Sequence, residues 1–499
     1  MLISNQRKMK LMSENETAVA GGGGSQLVRS ISWKQGTIIA MGVPILILPS
    51  LYDITDSLWA FSAILWCVSV LQGFAQNFAI GEVSATFGCA GIPGSIQLMF
   101  SNKEEKKRIN VGRFLSGFAS WCYWFTWTPV IPIFTIMCGT YLQEFVGPLA
   151  NVNSMLLNLC LGAMIFLLLI GIGLKGLAGG ARLGLFLALI TILPLVIICS
   201  LTFFNGTFQM TNIMNEFLPP QWGWSGTDIV MLFGTFAIAQ WSACAWETTA
   251  IYGAEYKDPG KDLPKAMISC GLICLLVYGL VAISVFGVLG VSGVQDAGYA
   301  TLVPLTVANF GNIGSSIALI MLVAGMVLLI QTAFLGTSRA LFTMGVERHM
   351  PAIFSKQNKQ GTPIVAMIFQ ACVGMVMIPL GSPEMILAAS SFGFCLALGF
   401  AMWAFRRSRT IPRFKDVERP WHAPRGWYWV ATGLMLYQFF VLIPGLAYWS
   451  YLYFGIQSVI LGVVILVCYI PFWFYLQFHY DKKDRDALNK VIEVDVTVH

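Results

Sequence analysis

Long apolar runs recur along this chain and restrict its fold more than any other feature. Each run has about the 20 residues that a helix needs to cross the hydrocarbon core of a bilayer. The runs lie near residues 36–52, 57–86, 113–140, 154–173, 182–204, 228–252, 266–290, 313–342, 363–380, 383–405, 427–447 and 456–478. This pattern predicts an all-α membrane protein with about 12 transmembrane helices.

The charge content supports the same conclusion. Charged residues make up 11% of the 499 residues and hydrophobic residues 57%. A soluble domain carries roughly a quarter charged residues, because it must cover itself in water. Lipid must therefore cover much of this protein. The length alone would suggest several soluble domains, but the hydropathy favours one large bundle.

The basic residues and the cysteines exclude two kinds of partner. The net charge is +6, but the basic residues form short clusters between apolar runs, so we predict no nucleic-acid partner. The 12 cysteines show no metal-ligand spacing and mostly lie inside apolar runs, where thiols act as small apolar side chains. Cys270 and Cys274 lie one helical turn apart, and packing is favoured for them over metal binding. We predict no metal site and no cofactor.

The connections between the runs alternate in charge. Basic residues concentrate in the amino-terminal tail, in 102–113, 175–182, 257–265, 339–359 and 406–425, and at 482–490. Connections such as 205–227 and 291–312 carry almost no Lys or Arg. Because basic loops stay on the cytoplasmic side, we predict a cell-membrane protein with cytoplasmic tails at 1–32 and 479–499 and a transmembrane domain over 33–478. The amino-terminal tail is polar, with no cleavable signal.

The first and sixth runs are interrupted. The first contains Gly42-Val43-Pro44 at mid-membrane, with Pro49 beyond it. The sixth contains small residues around a charge, in the segment Gln240-Trp241-Ser242-Ala243-Cys244-Ala245-Trp246-Glu247. The two interruptions occupy corresponding positions if the first five runs and the next five are repeats. Such matched breaks point to the binding site in transporters built from inverted repeats.

Four motifs stand at helix ends or in connections, in a fixed order. They are Glu82; Glu255-Tyr256-Lys257-Asp258-Pro259 with Asp262-Leu263-Pro264-Lys265-Ala266; Thr337-Ser338-Arg339 followed by Glu347, Met350-Pro351, Asn358 and Gly361-Thr362-Pro363; and Arg419-Pro420-Trp421-His422-Ala423-Pro424. Their order and spacing resemble those of the amino acid–polyamine–organocation superfamily of permeases. The resemblance covers nearly the whole chain, from about residue 33 to 478.

The resemblance implies a fold, an activity and a site. The fold has a 5+5 inverted repeat of the LeuT type, with repeats over about 36–204 and 228–405, plus two peripheral helices over about 427–478. The activity is secondary active transport of amino acids, polyamines or related small amines by alternating access, as a permease or an exchanger. The solute lies between the two breaks, which implies a site made by Gly42, Val43, Pro44, Trp241, Ser242, Ala243, Cys244, Ala245 and Glu247.

The broken backbone suggests how a solute is held. Free N–H groups near Gly42 and Val43 would form a positive patch for an anion, and free carbonyls at 242–245 would accept from an ammonium group. Many family members have Gly-Ser-Gly at the first break. Here Pro44 has no N–H and Val43 has no hydroxyl. Because two donors for a carboxylate are missing, the sequence favours carboxylate-free amines as substrates. The alternative is that Pro44 only fixes the kink.

Two side chains of the sixth run are the strongest candidates for binding the solute. Trp241 aligns with an aromatic position that closes over the substrate in the arginine–agmatine exchangers that this segment resembles; the alternative is a packing tryptophan. Glu247 is costly inside a span unless it is paired or hydrated, so it is interpreted as a counter-ion or a proton carrier, with a structural partner as the alternative. Helix three carries an aromatic run that lines the cavity or packs, namely Trp121, Tyr123, Trp124, Phe125 and Trp127.

Glu82 and Thr191 are the predicted gating and coupling positions. Glu82, near the cytoplasmic end of helix two, is expected to contact a basic loop residue, and a plain interfacial carboxylate is the alternative. Some proton-coupled relatives place a lysine on helix five, where spacing from Ala181-Arg182 puts Thr191 in this chain. Lysine-mediated coupling is therefore disfavoured. Exchange, a proton carried by Glu247, and a hydroxyl-assisted sodium site stay open.

Other classes of protein fit less well. No Ser/His/Asp constellation or phosphate loop indicates an enzyme, and the histidines lie at predicted loops or ends, at His349, His422, His479 and His499. A transporter-like nutrient sensor would usually append a long cytoplasmic domain, and a channel would not need two matched breaks. We predict a transporter whose partners are a small amino acid or amine and the bilayer, and a homodimer stays open.

Overall fold

A computed structural model describes residues 27–100, 110–380 and 383–479. Within these residues ten helical segments are long and apolar enough to cross a membrane. One of them, Trp33–Phe87, contains two spans, because the first helix ends at Leu58, before Trp59, whose φ is 51°. The shorter apolar helix Ile364–Leu380 completes the predicted set of twelve. Most of the predicted tails and of segment 102–113 lie outside the described residues.

We number the twelve spans in chain order. They are span 1, Trp33–Ile39 and Ile47–Leu58; span 2, Ser62–Phe87; span 3, Val111–Trp127 and Val130–Phe145; span 4, Ser154–Gly173; span 5, Leu177–Leu201; span 6, Gly226–Ala243 and Ala245–Glu255; span 7, Pro259–Ala297; span 8, Ile313–Val346; span 9, Ile364–Met377; span 10, Pro383–Thr410; span 11, Trp427–Tyr437, Gln438–Leu442 and Ile443–Phe454; and span 12, Ile456–Val467 and Tyr469–His479. Short helices occupy some of the connections, at Gly91–Phe100, Met210–Met214, Leu302–Phe310 and Pro412–Lys415.

Spans 1–5 and spans 6–10 form two units with opposite orientations. Each unit begins with its interrupted span, and five crossings are an odd number, so the second unit is inverted. The apolar stretch of Val111–Phe145 is 83% buried, whereas those of Ser154–Gly173 and Ile456–His479 are each 22% buried. Spans 1, 3, 6 and 10 therefore belong to the interior, and spans 4, 11 and 12 are the most exposed at the periphery. This arrangement confirms the predicted fold class.

The α-helix of span 1 is interrupted for seven residues. Regular winding ends at Ile39 and resumes at Ile47, and the residues between form a tight turn and the 3-10 helix Val43–Leu46. The Val43 N–H donates to the Ala40 carbonyl at 3.0 Å. Pro44 suits the first turn of the 3-10 helix, where its missing N–H would have no partner in the helix.

Thr332 of span 8 bridges the interruption in span 1. Its hydroxyl donates to the Ile39 carbonyl at 2.9 Å and accepts from the Gly42 N–H at 3.2 Å. A Cβ atom at residue 42 would lie 2.5 Å from the Thr332 hydroxyl oxygen and 2.9 Å from the Leu328 carbonyl oxygen. Glycine is therefore required at this position, because only its backbone fits so close to span 8.

Span 6 changes its winding and does not open into an extended segment. Its α-helix ends at Ala243, and after Cys244 it continues as the 3-10 helix Ala245–Glu255, of 11 residues. Runs of 3-10 helix longer than about four residues are uncommon, because their hydrogen bonds are poorly aligned. The change of winding falls within the segment that the sequence predicts to be interrupted.

The chain just before span 1 pairs with the end of span 6. The Ser30 and Ile31 N–H groups donate to the Glu255 carbonyl at 2.9 and 3.1 Å, and the Lys257 N–H donates to the Ile31 carbonyl at 2.9 Å. The two segments are thus joined as a short parallel bridge on the side of the bundle where span 1 begins. We call this side the terminal side.

A buried ion pair lies beside this bridge. The Arg339 guanidinium of span 8 donates to the Glu255 carboxylate, with distances of 2.7 Å from Nε and 3.5 Å from Nη2. The side chains are 1% and 5% exposed. Arg339 also donates to the Leu335 carbonyl and lies over the Tyr252 ring, 5.4 Å from its centroid. Spans 6 and 8 are thereby held together on the terminal side.

Some helix boundaries differ from the predicted ones. Span 1 continues to Leu58, whereas the sequence predicts its end near residue 52. Span 7 extends to Ala297, but Gly290 has a φ of 68° that redirects the chain near the predicted end of the membrane crossing. The helix Gly91–Phe100 was not predicted. Each difference lies at a span end, where charged or small residues make hydropathy a weak guide.

Candidate functional site

Glu247 is buried where spans 3 and 6 meet, and only 1% of its surface is exposed. The Trp127 Nε1 group of span 3 donates to Glu247 Oε1 at 3.2 Å. The Tyr123 side chain and the backbone of Thr248 interact with the same carboxyl group. Oε2 has no hydrogen bond that meets normal geometry, and Glu247 forms no ion pair with any residue that the structure describes. One carboxylate oxygen is therefore available to a donor.

Aromatic rings surround this carboxylate. The Trp127 ring centroid lies 5.6 Å from that of Trp241 and 5.2 Å from that of Phe394 of span 10. Trp241 is completely buried, and its indole N–H has no partner among the described residues. We refer to Trp127, Trp241 and Phe394 as the aromatic cluster. Such rings attract a cation through their π faces, and the adjacent carboxylate adds a negative charge.

The backbone groups predicted to be free at the first break have partners in this structure. The Gly42 N–H donates to Thr332, and the Val43 N–H donates to the Ala40 carbonyl. A buried N–H without a partner is costly, so this closed arrangement satisfies both groups. The Tyr278 hydroxyl of span 7 donates to the Val43 carbonyl at 3.3 Å. The role of these residues in solute binding stays a prediction.

The small residues of the second break are all buried. The Ser242 hydroxyl donates to the Ala239 carbonyl at 3.2 Å, and its side chain interacts with Tyr278, which thereby contacts both breaks. The Cys244 thiol donates to the Ser69 carbonyl of span 2 at 3.2 Å. Ala243 and Ala245 lie in the core. The structure thus brings the second break close to the first through span 7.

Thr191 lies on the inner face of span 5. Its hydroxyl donates to the Leu187 carbonyl one turn earlier, at 2.8 Å, and the side chain is buried. Its methyl group and the Ile45 side chain of the first break both face Gly325 of span 8. The residue therefore lies beside the first break, and its role in coupling stays a prediction.

Glu82 lies on the terminal side, apart from the breaks. Its carboxylate accepts from Arg409 at 3.0 and 2.5 Å, from Arg419 at 2.6 Å and from the Ala423 N–H at 2.8 Å. Arg419 and Ala423 belong to the connection between spans 10 and 11. Glu82 thus contacts a basic loop residue, as the sequence analysis expects, and its role in gating stays a prediction.

Several residues around the site were not singled out by the sequence analysis. Thr332 and Tyr278, which hold the first break, lie 290 and 235 residues along the chain from their partners. Trp127 was predicted only as one of several aromatic residues that pack or line the cavity. Its position next to the Thr128-Pro129 interruption of span 3 is the one local feature that distinguishes it.

Two interrupted spans in inverted repeats, with a buried carboxylate at one interruption, define a secondary transporter of the membrane. A family model described as amino acid permease matches residues 31–465. The chain therefore belongs to the amino acid permease family, which confirms the resemblance to the larger permease superfamily. Its function is transport of amino acids or related amines, and it is not an enzyme.

Known proteins agree with this assignment. An uncharacterized amino acid permease of Bacillus subtilis is 25% identical over 368 residues, which cover 71% of this chain and 78% of the relative. A lysine-specific permease of Lactococcus lactis is 26% identical over 285 residues, which cover 54% of each chain. A manganese transporter from Eremococcus coleocola has a similar fold, with a TM-score of 0.57 at 12% identity over 93% of this chain and 98% of that one.

Proposed function

We propose that this permease binds the ammonium group of an amino acid or small amine at Glu247, within the aromatic cluster. The observation that carries the proposal is the unpartnered Oε2 atom of a carboxylate that is 1% exposed. A charged group in a membrane interior needs a partner or a pathway role. A primary ammonium supplies both the opposite charge and the hydrogen-bond donor that Oε2 lacks.

The other end of the solute has fewer evident partners. The N–H groups of Gly42 and Val43 are engaged within the protein, and Pro44 has no N–H. These observations favour a second candidate within the same proposal, a carboxylate-free amine or polyamine. An amino acid substrate would require the Gly42 N–H to leave Thr332 and turn to the solute carboxylate.

Trp241 is proposed to cover the bound solute, as the resemblance to arginine–agmatine exchangers implies. Its ring faces Trp127 across the site, and its unpartnered indole N–H offers one further donor. A cation against a tryptophan face gains about 0.5–2 kcal/mol. Closure of this ring would also exclude water, which strengthens the attraction to Glu247.

Alternating access requires barriers on both sides of the site. We propose that the terminal side is cytoplasmic, because Lys and Arg are concentrated in the connections on that side. The ion pair of Arg339 with Glu255, together with the bridge at Ile31, would then form the inner barrier. The proposed repeats are residues 36–204 and 228–405, followed by the peripheral pair at 427–478.

Coupling is proposed to involve Glu247, either as a proton carrier or as the site of exchange. Thr191 offers a hydroxyl beside the first break in place of a lysine. Sodium coupling would need this hydroxyl to leave the Leu187 carbonyl. Uptake measured with sodium replaced by potassium, with or without a pH gradient, and with or without solute inside the vesicles separates the three modes.

The proposal is tested with purified protein in proteoliposomes and a panel of radiolabelled amino acids, monoamines and polyamines. At least one solute with a primary ammonium should be taken up by the wild type. Glu247→Gln keeps an acceptor for Trp127 but removes the charge, and it should lower uptake of that solute by about 10- to 150-fold, the equivalent of a 1.5–3 kcal/mol charged hydrogen bond.

Glu144→Gln is the matched control, because Glu144 is an exposed acidic residue at the end of span 3. It should transport at the wild-type rate. Wild-type uptake by Glu247→Gln, or no uptake of any amine-bearing solute by the wild type, would refute the proposed function. Thermal unfolding of the variants shows whether a loss of uptake reflects a loss of folding.

A further inference from the structure

Span 11 changes its winding near its middle, although it lies at the periphery of the bundle. The α-helix Trp427–Tyr437 is followed by the π-helix Gln438–Leu442 and then by the α-helix Ile443–Phe454. Pro444 accounts for the change, because it has no N–H with which to continue the α-helical bonds to the carbonyl four residues earlier. A single π turn inside an α-helix is rare, and it is frequently found at functional sites.

The π-helix places Gln438 against Gln240, in the last α-helical turn of span 6. Both side chains are completely buried. Gln240 Nε2 donates to Gln438 Oε1 at 3.0 Å, and Gln438 Nε2 donates to Gln240 Oε1 at 2.9 Å. We call these two residues the amide pair.

The amide pair also joins spans 2 and 10. Gln240 Oε1 accepts from Gln72 Nε2 of span 2 at 2.8 Å, and Gln240 Nε2 donates to the Cys395 Sγ atom of span 10 at 3.2 Å. The Gln240 amide thus uses both of its donors and both acceptor positions of its oxygen. A buried polar network whose groups are satisfied in this way is rigid and holds one arrangement of its helices.

Close backbone contacts hold span 11 in this position. A Cβ atom at Gly445 of span 11 would lie 2.8 Å from the Gly234 nitrogen of span 6. A Cβ atom at Gly399 of span 10 would lie 2.6 Å from the ring of Phe439 in the π-helix. Small residues allow transmembrane helices to approach this closely. Span 11 is therefore packed directly against the two spans that carry Trp241 and Phe394.

The amide pair lies directly behind the aromatic cluster. Gln240 precedes Trp241 in the chain, and Cys395 follows Phe394. The Trp241 indole N–H has no partner among the described residues, so no hydrogen bond of its own fixes this ring. Successive residues of an α-helix are turned by about 100°. Fixing the Gln240 side chain therefore fixes the rotation of this helical turn, and with it the direction in which Trp241 projects.

We propose that Gln438 is a positioning residue for solute binding, which acts through Gln240 to hold Trp241 at the site. This inference rests on the proposed function, and it gives span 11 a part in that function. Gln438 itself does not touch the solute. Because Trp241 covers the solute in the bound state, loss of the amide pair should weaken binding of a cationic solute and leave the later steps of transport nearly unchanged.

The first test uses Gln438→Met, which keeps the length of the side chain and removes its amide. The variant should raise the KM for uptake about two- to fivefold, which is part of the two- to thirtyfold effect expected for loss of the whole Trp241 ring. The kcat should change by less than about twofold, since the positioned ring acts on binding. A wild-type KM would overturn the inference.

Gln477→Met is the matched control. Gln477 belongs to span 12, the other peripheral span, and is also buried. It accepts from Arg113 at 3.2 Å and donates to the Arg348 carbonyl at 3.0 Å, so it takes no part in the amide network behind the aromatic cluster. Gln477→Met should keep the wild-type KM. An equal rise in KM in both variants would overturn the inference, because it would show a general loosening of the bundle.

A double-mutant cycle separates positioning from stability. If Gln438 acts through Trp241, then Gln438→Met should change the KM of the Trp241→Ala protein by less than about 1.5-fold. The same increase in KM in both backgrounds would overturn the inference. Gln240→Met/Gln438→Met removes both members of the amide pair, so neither is left with an absent partner and stability should recover. Its KM should stay raised; a wild-type KM with a recovered Tm would show that Gln438 only stabilises the fold.

The two proposals fail in different ways. A wild-type KM in Gln438→Met, measured with a solute that Glu247→Gln does not transport, would overturn the role of Gln438 alone. Absence of any amine uptake by the wild type would refute the proposed function, and this inference with it.

Discussion

Replacing Glu255 by glutamine should destabilise the protein much more than removing a surface carboxylate. Glu255 neutralises Arg339 in a place where the two side chains are 5% and 1% exposed. Removing one partner of a buried pair costs about 3–5 kcal/mol, because a charge is left uncompensated. The glutamine oxygen can still accept from Arg339 Nε, which recovers roughly 1 kcal/mol.

The expected loss is therefore about 2–4 kcal/mol. Arg339 keeps its bond to the Leu335 carbonyl at 3.2 Å and its contact with the Tyr252 ring, so the loss should not be larger. For a chain of this size, 1 kcal/mol shifts the Tm by roughly 1–2 °C, since the unfolding entropy grows with length. Thermal unfolding of the purified protein in detergent should thus show a decrease of about 2–8 °C.

Asp258→Asn is the control for this measurement. Asp258 pairs with Lys261 at 3.2 Å, but the two side chains are 50% and 79% exposed. Removing this exposed ion pair should change the free energy of unfolding by no more than about 0.5 kcal/mol. The double variant Glu255→Gln/Arg339→Gln should be less destabilised than the sum of its single variants, by about 1 kcal/mol or more. Equal Tm values for Glu255→Gln and Asp258→Asn, or strictly additive losses, would refute the reasoning.

Three further predictions concern the aromatic cluster, the Glu82 contacts and a buried histidine. Trp241→Ala should raise the KM for a cationic solute about two- to thirtyfold and Trp241→Phe much less; unchanged uptake kinetics would assign Trp241 to packing. Glu82→Gln should speed tryptic cleavage after Arg409, which pairs with Glu82, by about tenfold per 1.4 kcal/mol of lost contacts; wild-type cleavage would contradict this. Burial, with the Arg113 guanidinium nearby, holds the pKa of His349 well below its ordinary value. The free energy of unfolding should therefore fall as the pH drops below about 6.5, because the unfolded chain then binds a proton that the folded chain does not. In His349→Gln the Tm should depend less on pH between 5.5 and 7.5, and equal slopes would count against this assignment.

The fold was predictable because its main signals are local in the sequence. The length of an apolar run predicts a span, and Gly42-Val43-Pro44 and the charge of Glu247 mark interruptions without any knowledge of neighbouring helices. The end of span 1 was misplaced for the same reason. Asp53 and Asp56 suggest a connection, but the helix continues because Tyr299 and Gln295 bind the two carboxylates.

The site was predictable only in part. Glu247 and Trp241 stand out because they lie at an interruption, whereas their surroundings depend on contacts between distant parts of the chain. Trp127 reaches Glu247 from 120 residues away. The predicted free N–H groups at Gly42 follow from the local break, but Thr332 of span 8 binds that group. A single sequence gives no signal that would pair residues so far apart.

The 3-10 winding of Ala245–Glu255 links the site to the terminal side mechanically. Glu247 and Glu255 lie near its two ends, and one binds the solute in our proposal while the other pairs with Arg339. Rewinding this stretch as α-helix would shorten the distance between the two residues by about 4 Å and turn one against the other by roughly 160°. A change from 3-10 to α winding that begins when the solute binds at Glu247 would therefore move Glu255 along the helix axis and rotate it about that axis. In this way solute binding would reach the ion pair with Arg339.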